Sequence, residues 1–366
     1  MDFALSPSQQ LLVVTARDFL RKQCPPEAMQ RLALDARGFD EALWRRMAEL
    51  GWPGLLVPGH FGGSDGTLLD VILLVEEMGR AGLPGPFVTS AVVATSLLVA
   101  AGSAEQQKGL LPAMAAGERI ATLALVEDSG SFDPAAITLR CAVPGRLTGT
   151  KLFVKDAHVA TELIVAVRGG DLLLLPAGRS GITCLPLDTL SGEKTFEVTF
   201  DTVEVSLEDR LPGAGLGVDA LATALSAGAL ARTAEMVGAA QRVLELAVEH
   251  AKTRVQGGRP IGAYQAIQHA CADLVRDVDT SRGLLYVAAW KASEGQAAAA
   301  DVATAKAYAG EACLAVARRG HQIFGAIGYC EEHPLHLLHK RIQAARLDFG
   351  DTGAHLECIA RAIGLS

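Results

Sequence analysis

Residues 254–268 read Arg-Val-Gln-Gly-Gly-Arg-Pro-Ile-Gly-Ala-Tyr-Gln-Ala-Ile-Gln, and they break what would otherwise be one very long helix. The segment from Ala239 to Thr253 and the segment from Ala270 onward both carry a helical pattern. Gly257 and Gly258 cost backbone entropy in a helix, and Pro260 lacks an N–H donor, so the chain turns between them. Arg254 closes the first helix and directs a fixed cation into the loop. Such a cation is either a helix-end charge that complements the C-terminal dipole or a clamp for an anion. The loop alone leaves both readings open.

Outward from this break, residues 214–366 are helical. Leu230, Val237, Leu244 and Val248 keep a helical period, residues 300–317 are Ala-rich, and residues 354–363 read as a last helix. Small residues let helices approach closely, so a four-helix bundle is expected. Residues 119–213 differ in character. Short β-prone runs at 120–126, 163–167, 172–175 and 196–200 are separated by Pro, Gly and Asp, and Thr148-Gly149-Thr150-Lys151 is expected to be a hairpin turn. Residues 1–118 are helical again. Ser6 is expected to cap a helix that starts at Pro7, Cys24-Pro25-Pro26 to stop it, and Asp40 to cap the next one. The expected class is α+β: an N-terminal helical domain (1–118), a middle β domain (119–213) and a C-terminal bundle (214–366).

The formal net charge of −8 argues against a general nucleic-acid binder, which needs a basic surface to displace counterions. No stretch approaches the ~20 apolar residues of a membrane span. The seven cysteines are dispersed without a C-x-x-C pair, and the first residues show no basic segment followed by an apolar run. Reduced thiols and a cytoplasmic location are therefore expected. No Gly-x-Gly-x-x-Gly follows a strand, which disfavours a dinucleotide-binding α/β fold.

Several segments together carry a resemblance. They are Glu49–Pro58 (Glu-Leu-Gly-Trp-Pro-Gly-Leu-Leu-Val-Pro), Phe61-Gly62-Gly63, Val75–Arg80, the Arg254-x-Gln256-x-Gly258-x-Pro260-Ile261 run with Gln265 and Gln268, and Gln322–Tyr329 followed by Glu332 and Pro334. In this order, over nearly the whole chain, they resemble the acyl-CoA dehydrogenase family. The resemblance implies that family's fold, with a middle β-barrel covering one side of a flavin. It also implies FAD as cofactor, an acyl-CoA thioester as substrate and an electron-transfer flavoprotein as electron acceptor. It places Arg254 and Gln256 near the flavin pyrophosphate, usually that of the neighbouring subunit, and Gln322, Gly325 and Ala326 near the adenosine portion. An Arg fork suits phosphate oxygens, and Gly lets backbone approach closely. Gly257 stands where the family usually has Phe, and Ala326 replaces the second Gly of a pair.

The flavin-ring side departs further from the family pattern. Val126-Glu127-Asp128-Ser129-Gly130-Ser131 matches a run that usually begins Thr-Glu-Pro, and Val126 offers no hydroxyl. Phe153-Val154-Lys155-Asp156 matches Trp-x-Thr-Asn. Lys155 is expected to face solvent; the alternative is an ammonium near the flavin N5. The family's catalytic Glu would fall at Gly350 or, in a minority pattern, at Gly228, and neither has a side chain. Asp351 and Glu235 are the substitutes to weigh; a helix-cap role is expected for Asp351 and a solvated or paired bundle position for Glu235. His333, His336 and His339 are spaced by three, and are expected on a polar helix surface rather than on a metal.

These observations lead to one expectation with two alternatives. The expectation is a subunit for α,β-desaturation of an acyl-CoA that lacks its own base and completes the FAD site of a second acyl-CoA dehydrogenase-like subunit, in a heterodimer or heterotetramer. The first alternative is a self-sufficient homo-oligomeric acyl-CoA dehydrogenase that uses Asp351 or Glu235. The second is a flavin-free structural homologue.

Overall fold

A computed structural model describes residues 5–212, 217–296 and 298–365. Its first helices are α1 (Pro7–Gln23), α2 (Pro26–Leu34), α3 (Glu41–Glu49), α4 (Leu68–Ala81), α5 (Thr95–Ala101) and α6 (Ala104–Ala115). Strands β1 (Ala121–Ala124), β2 (Gly145–Lys155), β3 (Glu162–Ala166), β4 (Leu172–Pro176), β5 (Ile182–Leu187) and β6 (Thr195–Val205) follow. Then come α7 (Gly217–Thr253), the short strands β7 (Val255–Gln256) and β8 (Arg259–Pro260), α8 (Gln265–Ser293), α9 (Ala299–Phe324), α10 (Leu335–Leu347) and α11 (Thr352–Ala362). No described helix is long and apolar enough to cross a membrane. All seven cysteines are free thiols.

The chain divides into two compact units. One comprises Met1–Arg31, Leu68–Leu83 and Ala229–Ser366; the other comprises Leu32–Thr67 and Pro84–Gly228. In the second unit, two three-stranded sheets share one apolar core. One has the order β1-β3-β4, with β1 and β3 parallel; the other is antiparallel, with the order β2-β6-β5. Leu163, Val165 and Leu173 from the first sheet meet Leu147, Val198 and Phe200 from the second. Thr148–Lys151 is not a turn, because all four residues lie inside β2. The register with β6 shifts between Leu147 and Gly149, where Gly149 takes φ +152°. A Cβ there would lie 2.4 Å from Leu139 Cδ1, so the glycine marks an irregularity in a long strand. Strand β5 escaped the sequence pattern. It is an edge strand, where Pro186 needs no ladder partner for a missing N–H.

The first unit is the helical bundle. Ser6 and Gln9 form a reciprocal capping box at the start of α1, as the sequence suggests. Helix α1 packs on α4, α4 on α8, α8 on α9, and α9 on α10 and α11. Helices α4 and α7 approach each other closely. A Cβ added at Gly79 would lie 2.3 Å from Glu235 O, and one at Gly238 would lie 1.9 Å from Glu76 O. The two helices therefore touch backbone to backbone. Gly238→Ala is expected to lower the unfolding free energy by at least about 3 kcal/mol, at the upper end of the usual overpacking cost. Gly109→Ala, on an exposed face of α6 with nothing near its added Cβ, is expected to stabilise by about 0.8–1 kcal/mol. Denaturant titration of both variants measures the contrast.

Candidate cofactor half-site

Helix α7 ends one residue before Arg254, whose amide still donates to His250 O at 2.8 Å. Gln256 and Arg259 then pair across a two-residue loop, in which Gly257 and Gly258 take φ of +60° and +80°. Positive φ at both positions is what a two-residue hairpin loop requires, and glycine adopts it without strain. The Tyr264 hydroxyl donates to Gln256 O at 2.9 Å, and the Arg259 guanidinium lies 4.1 Å from the Tyr264 ring centroid. A Cβ at 257 would meet the Tyr264 hydroxyl at 2.4 Å. The phenol thus takes the space that a side chain at 257 would enter. Arg254 and Gln256 are exposed, and the Arg254 guanidinium makes no hydrogen bond or ion pair among the described residues.

The second motif stands at the end of α9. Gln322, Gly325 and Ala326 are exposed, and Gly325 takes φ +66° with open space where a Cβ would be. Residues Gly325–Tyr329 form one tight 3₁₀ turn. Gly328 inside it is buried, because a Cβ there would meet Phe324 Cβ at 2.9 Å. His250, one helical turn before Arg254, stacks on Phe324 with ring centroids 4.4 Å apart. The fold thus joins the ends of α7 and α9, and with them the two motifs that the sequence separates by more than fifty residues.

The Val126–Ser131 run is braced internally. Val126 is buried. Glu127 accepts from the Thr138 amide and hydroxyl at 2.8 and 2.5 Å, from Leu139 N at 3.0 Å, and from Lys151 Nζ at 2.7 Å. Burial pushes the Glu127 carboxyl up, but the bonds from Lys151 and Thr138 outweigh it and bring it down to about 2. Lys155 does not face solvent. Its ammonium sits 2.5 Å from Glu193 Oε2 with both side chains largely buried, because a charge inside the unit needs a counter-charge.

Of the two positions where the resemblance would put a catalytic carboxylate, Gly350 is engaged in structural contacts and Gly228 is buried. Gly350 takes φ +97°, and a Cβ there would lie 3.2 Å from His355 Nε2. Its carbonyl accepts from Lys306 Nζ at 2.9 Å, and Lys306 also donates to Arg346 O at 2.8 Å. Burial brings the Lys306 ammonium down to about 7 against the opposing pull of Asp348. His355, whose Nε2 lies 3.1 Å from Phe349 O, is pushed to about 4 by burial and by Lys306. Gly228 is buried within α7. Asp351 is the N-cap of α11 and accepts from Ala354 N at 2.9 Å. Glu235 is buried, and its carboxylate is held by Arg232 at 2.5 Å and by Arg341 at 2.5 and 3.1 Å.

His333, His336 and His339 are half-buried rather than on a polar surface, because they pack with His321 and His250 against α9 and α7. Among the described residues, no group of three His, Cys, Asp or Glu side chains is placed to hold a metal ion. Sequence reasoning missed Lys306 and Tyr264. A lone charged residue in the Ala-rich run Val302-Ala-Thr-Ala-Lys-Ala-Tyr-Ala was the available signal for the first.

The family profile for the acyl-CoA dehydrogenase N-terminal domain matches residues 6–118, and that for the C-terminal domain matches residues 215–364. The acyl-CoA dehydrogenase IpdE2 of Mycobacterium tuberculosis is 32% identical over 334 residues, covering 91% of this chain and 90% of its own length. This chain belongs to the acyl-CoA dehydrogenase family. Among solved structures, a chain of the ChsE4-ChsE5 complex from Mycobacterium tuberculosis is 28% identical and superimposes with a TM-score of 0.92 over 100% of both chains. A chain of the FAD complex of PigA is 26% identical, with a TM-score of 0.91 over 100% of both chains.

Two substitutions separate the roles within this acyl-CoA dehydrogenase fold. Glu235→Leu leaves buried Arg341 without its counter-charge, while Arg232 keeps Asp348 at 3.0 Å, and is expected to cost about 3 kcal/mol in denaturant unfolding. Tyr264→Phe keeps the ring beneath Arg259, loses one hydrogen bond, and is expected to cost about 1 kcal/mol.

Proposed function

We propose that this chain is a non-catalytic or half-site subunit of a heteromeric flavoprotein that desaturates an acyl-CoA thioester between its α and β carbons. FAD, when bound, supplies the hydride acceptor for that reaction. The residues of this chain that would hold it are Arg254 and Gln256 at the pyrophosphate, and Gln322, Gly325 and Ala326 at the adenosine portion. They fit an anionic, close-packed ligand: Arg254 offers an unpaired fork, and Gly325 leaves its surroundings clear of side chains. The ring side fits less well, since Val126 is buried without a hydroxyl and Lys155 is committed to Glu193.

The observation that carries the reading is the absence of a free carboxylate at either base position. Desaturation needs a base within hydrogen-bond reach of the substrate's α-proton. Glu235 is neutralised between two arginines, Asp351 caps a helix, and Gly350 and Gly228 have no side chain. A carboxylate would then come from a second acyl-CoA dehydrogenase-like subunit. The similar ChsE4-ChsE5 structure is a complex of two named chains, which supports a heteromeric assembly. Electron transfer to an electron-transfer flavoprotein completes the proposal.

Visible absorbance of the purified protein, alone and co-expressed with an acyl-CoA dehydrogenase-like partner, is the test. The expected outcome is a colourless chain alone and a yellow complex, whose flavin is weakened at least tenfold by Arg254→Gln. A yellow homomer that bleaches anaerobically with an acyl-CoA at ordinary turnover, about 1–10³ s⁻¹, overturns it.

A further inference from the structure

Five of the nine histidines gather at the end of the bundle that carries the Gly325–Tyr329 turn. His250 of α7 stacks on Phe324, and His333 packs on the same ring with centroids 4.5 Å apart. His321 of α9 stacks on Tyr329 at 4.7 Å and touches His339 of α10 at 5.0 Å. His336 Nε2 lies 3.0 Å from Glu331 O. The turn is thus held between imidazoles from three elements.

The charges around these rings do not favour a proton. Arg254 acts on His250 and Arg318 on His339, both against protonation; a backbone hydrogen bond to Gly328 favours the proton on His321 but is outweighed by burial, and the other influences on His321 and His333 come from neighbouring imidazoles. The side chains of Glu331 and Glu332, just after the turn, are exposed; it is the Glu331 carbonyl that meets His336. An aromatic face attracts a cation, so one proton shared over Phe324 or Tyr329 is tolerated. Protons on both His321 and His339 place like charges 5.0 Å apart in a partly buried site.

We propose that this histidine cluster is a proton-operated clamp on the Gly325–Tyr329 turn, closed while the rings are neutral and opened once two or more are protonated. Burial lowers the affinity of His250, His321, His333 and His339 for protons below the ordinary imidazole value. The unfolded chain then binds more protons as pH falls through that value, near ~6.5, so the clamp's stability is complete above it and is lost as pH drops further. If the half-site assignment also holds, opening the turn releases the adenosine side of the flavin. That consequence rests on the proposed function, whereas the clamp itself does not.

Hydrogen exchange on the full chain, in its complex if it forms one, tests this. Protection of residues 322–333, corrected for intrinsic rates, is expected to fall at least tenfold from pH 7.5 to pH 5.5, while strands β3 and β6 change less than twofold. In His339→Gln and, separately, in His333→Gln, the fall is expected to shrink below threefold. Unchanged protection in the wild-type protein, or an undiminished fall in a folded variant, overturns the clamp. The wild-type comparison decides even where a variant does not fold. Flavin absorbance retained at pH 5.5 while the segment opens supports the clamp and overturns the half-site assignment instead.

Discussion

The bundle depends on the backbone contact between α4 and α7. Gly79 lies against the backbone of Glu235, and Gly238 against that of Glu76, at distances that leave no room for a methyl group. Such a crossing maximises packing between the helices, but it also draws the charged neighbours of those glycines out of water. Four acidic residues sit at or beside it, and each has a cationic partner: Glu76 with Arg282, Glu77 with Arg17, Glu235 with Arg232 and Arg341, and Glu245 with Arg80. Isolated buried carboxylates would cost several kcal/mol each, so the arginines follow from the crossing.

This accounts for the character of the chain as a member of a catalytic family. A general base needs an unpaired carboxylate of tuned proton affinity. Glu235 lies on the helix that could carry one, yet its position at the crossing commits it to two guanidinium groups. At the other position, Lys306 reaches from α9 to the carbonyls of Arg346 and Gly350, and so ties down the segment between α10 and α11. The segment holds its shape by a buried ammonium that caps the end of α10, where carbonyls point outward and a cation is favoured. Glu235 and the segment around Gly350 are both structural joints.

The opposite end of the bundle is built for surface contact. The β7–β8 hairpin projects Arg254 and Gln256 because two positive-φ glycines turn the chain at once after α7. Tyr264 steadies the hairpin from below with a hydroxyl on Gln256 and a ring under Arg259. The stack of His250 on Phe324 brings the end of α7, from which this hairpin springs, against the end of α9.

The sequence by itself determined the order of helices, strands and bundle, the helix caps at Ser6, Asp40 and Asp351, and the two glycine-rich breaks at 257–258 and 325–328. The caps and the break at 257–258 are local matters of backbone freedom and capping, and local residues report them; the turn at 325–329 appears in the sequence only as a motif match. The sequence also placed glycine at 350 and 228, since residue identity needs no coordinates. Only the tertiary structure decided the partners of charged groups. Lys155 found Glu193, Lys151 found Glu127, Lys306 found two carbonyls, and Glu235 found a second arginine more than a hundred residues away. It also turned an expected hairpin at Thr148–Lys151 into mid-strand, since pairing with β6 outweighs one glycine. And it drew the histidines of α10 inward. Charge pairing and strand register are set by which distant segments meet in space, and that is information no local pattern contains.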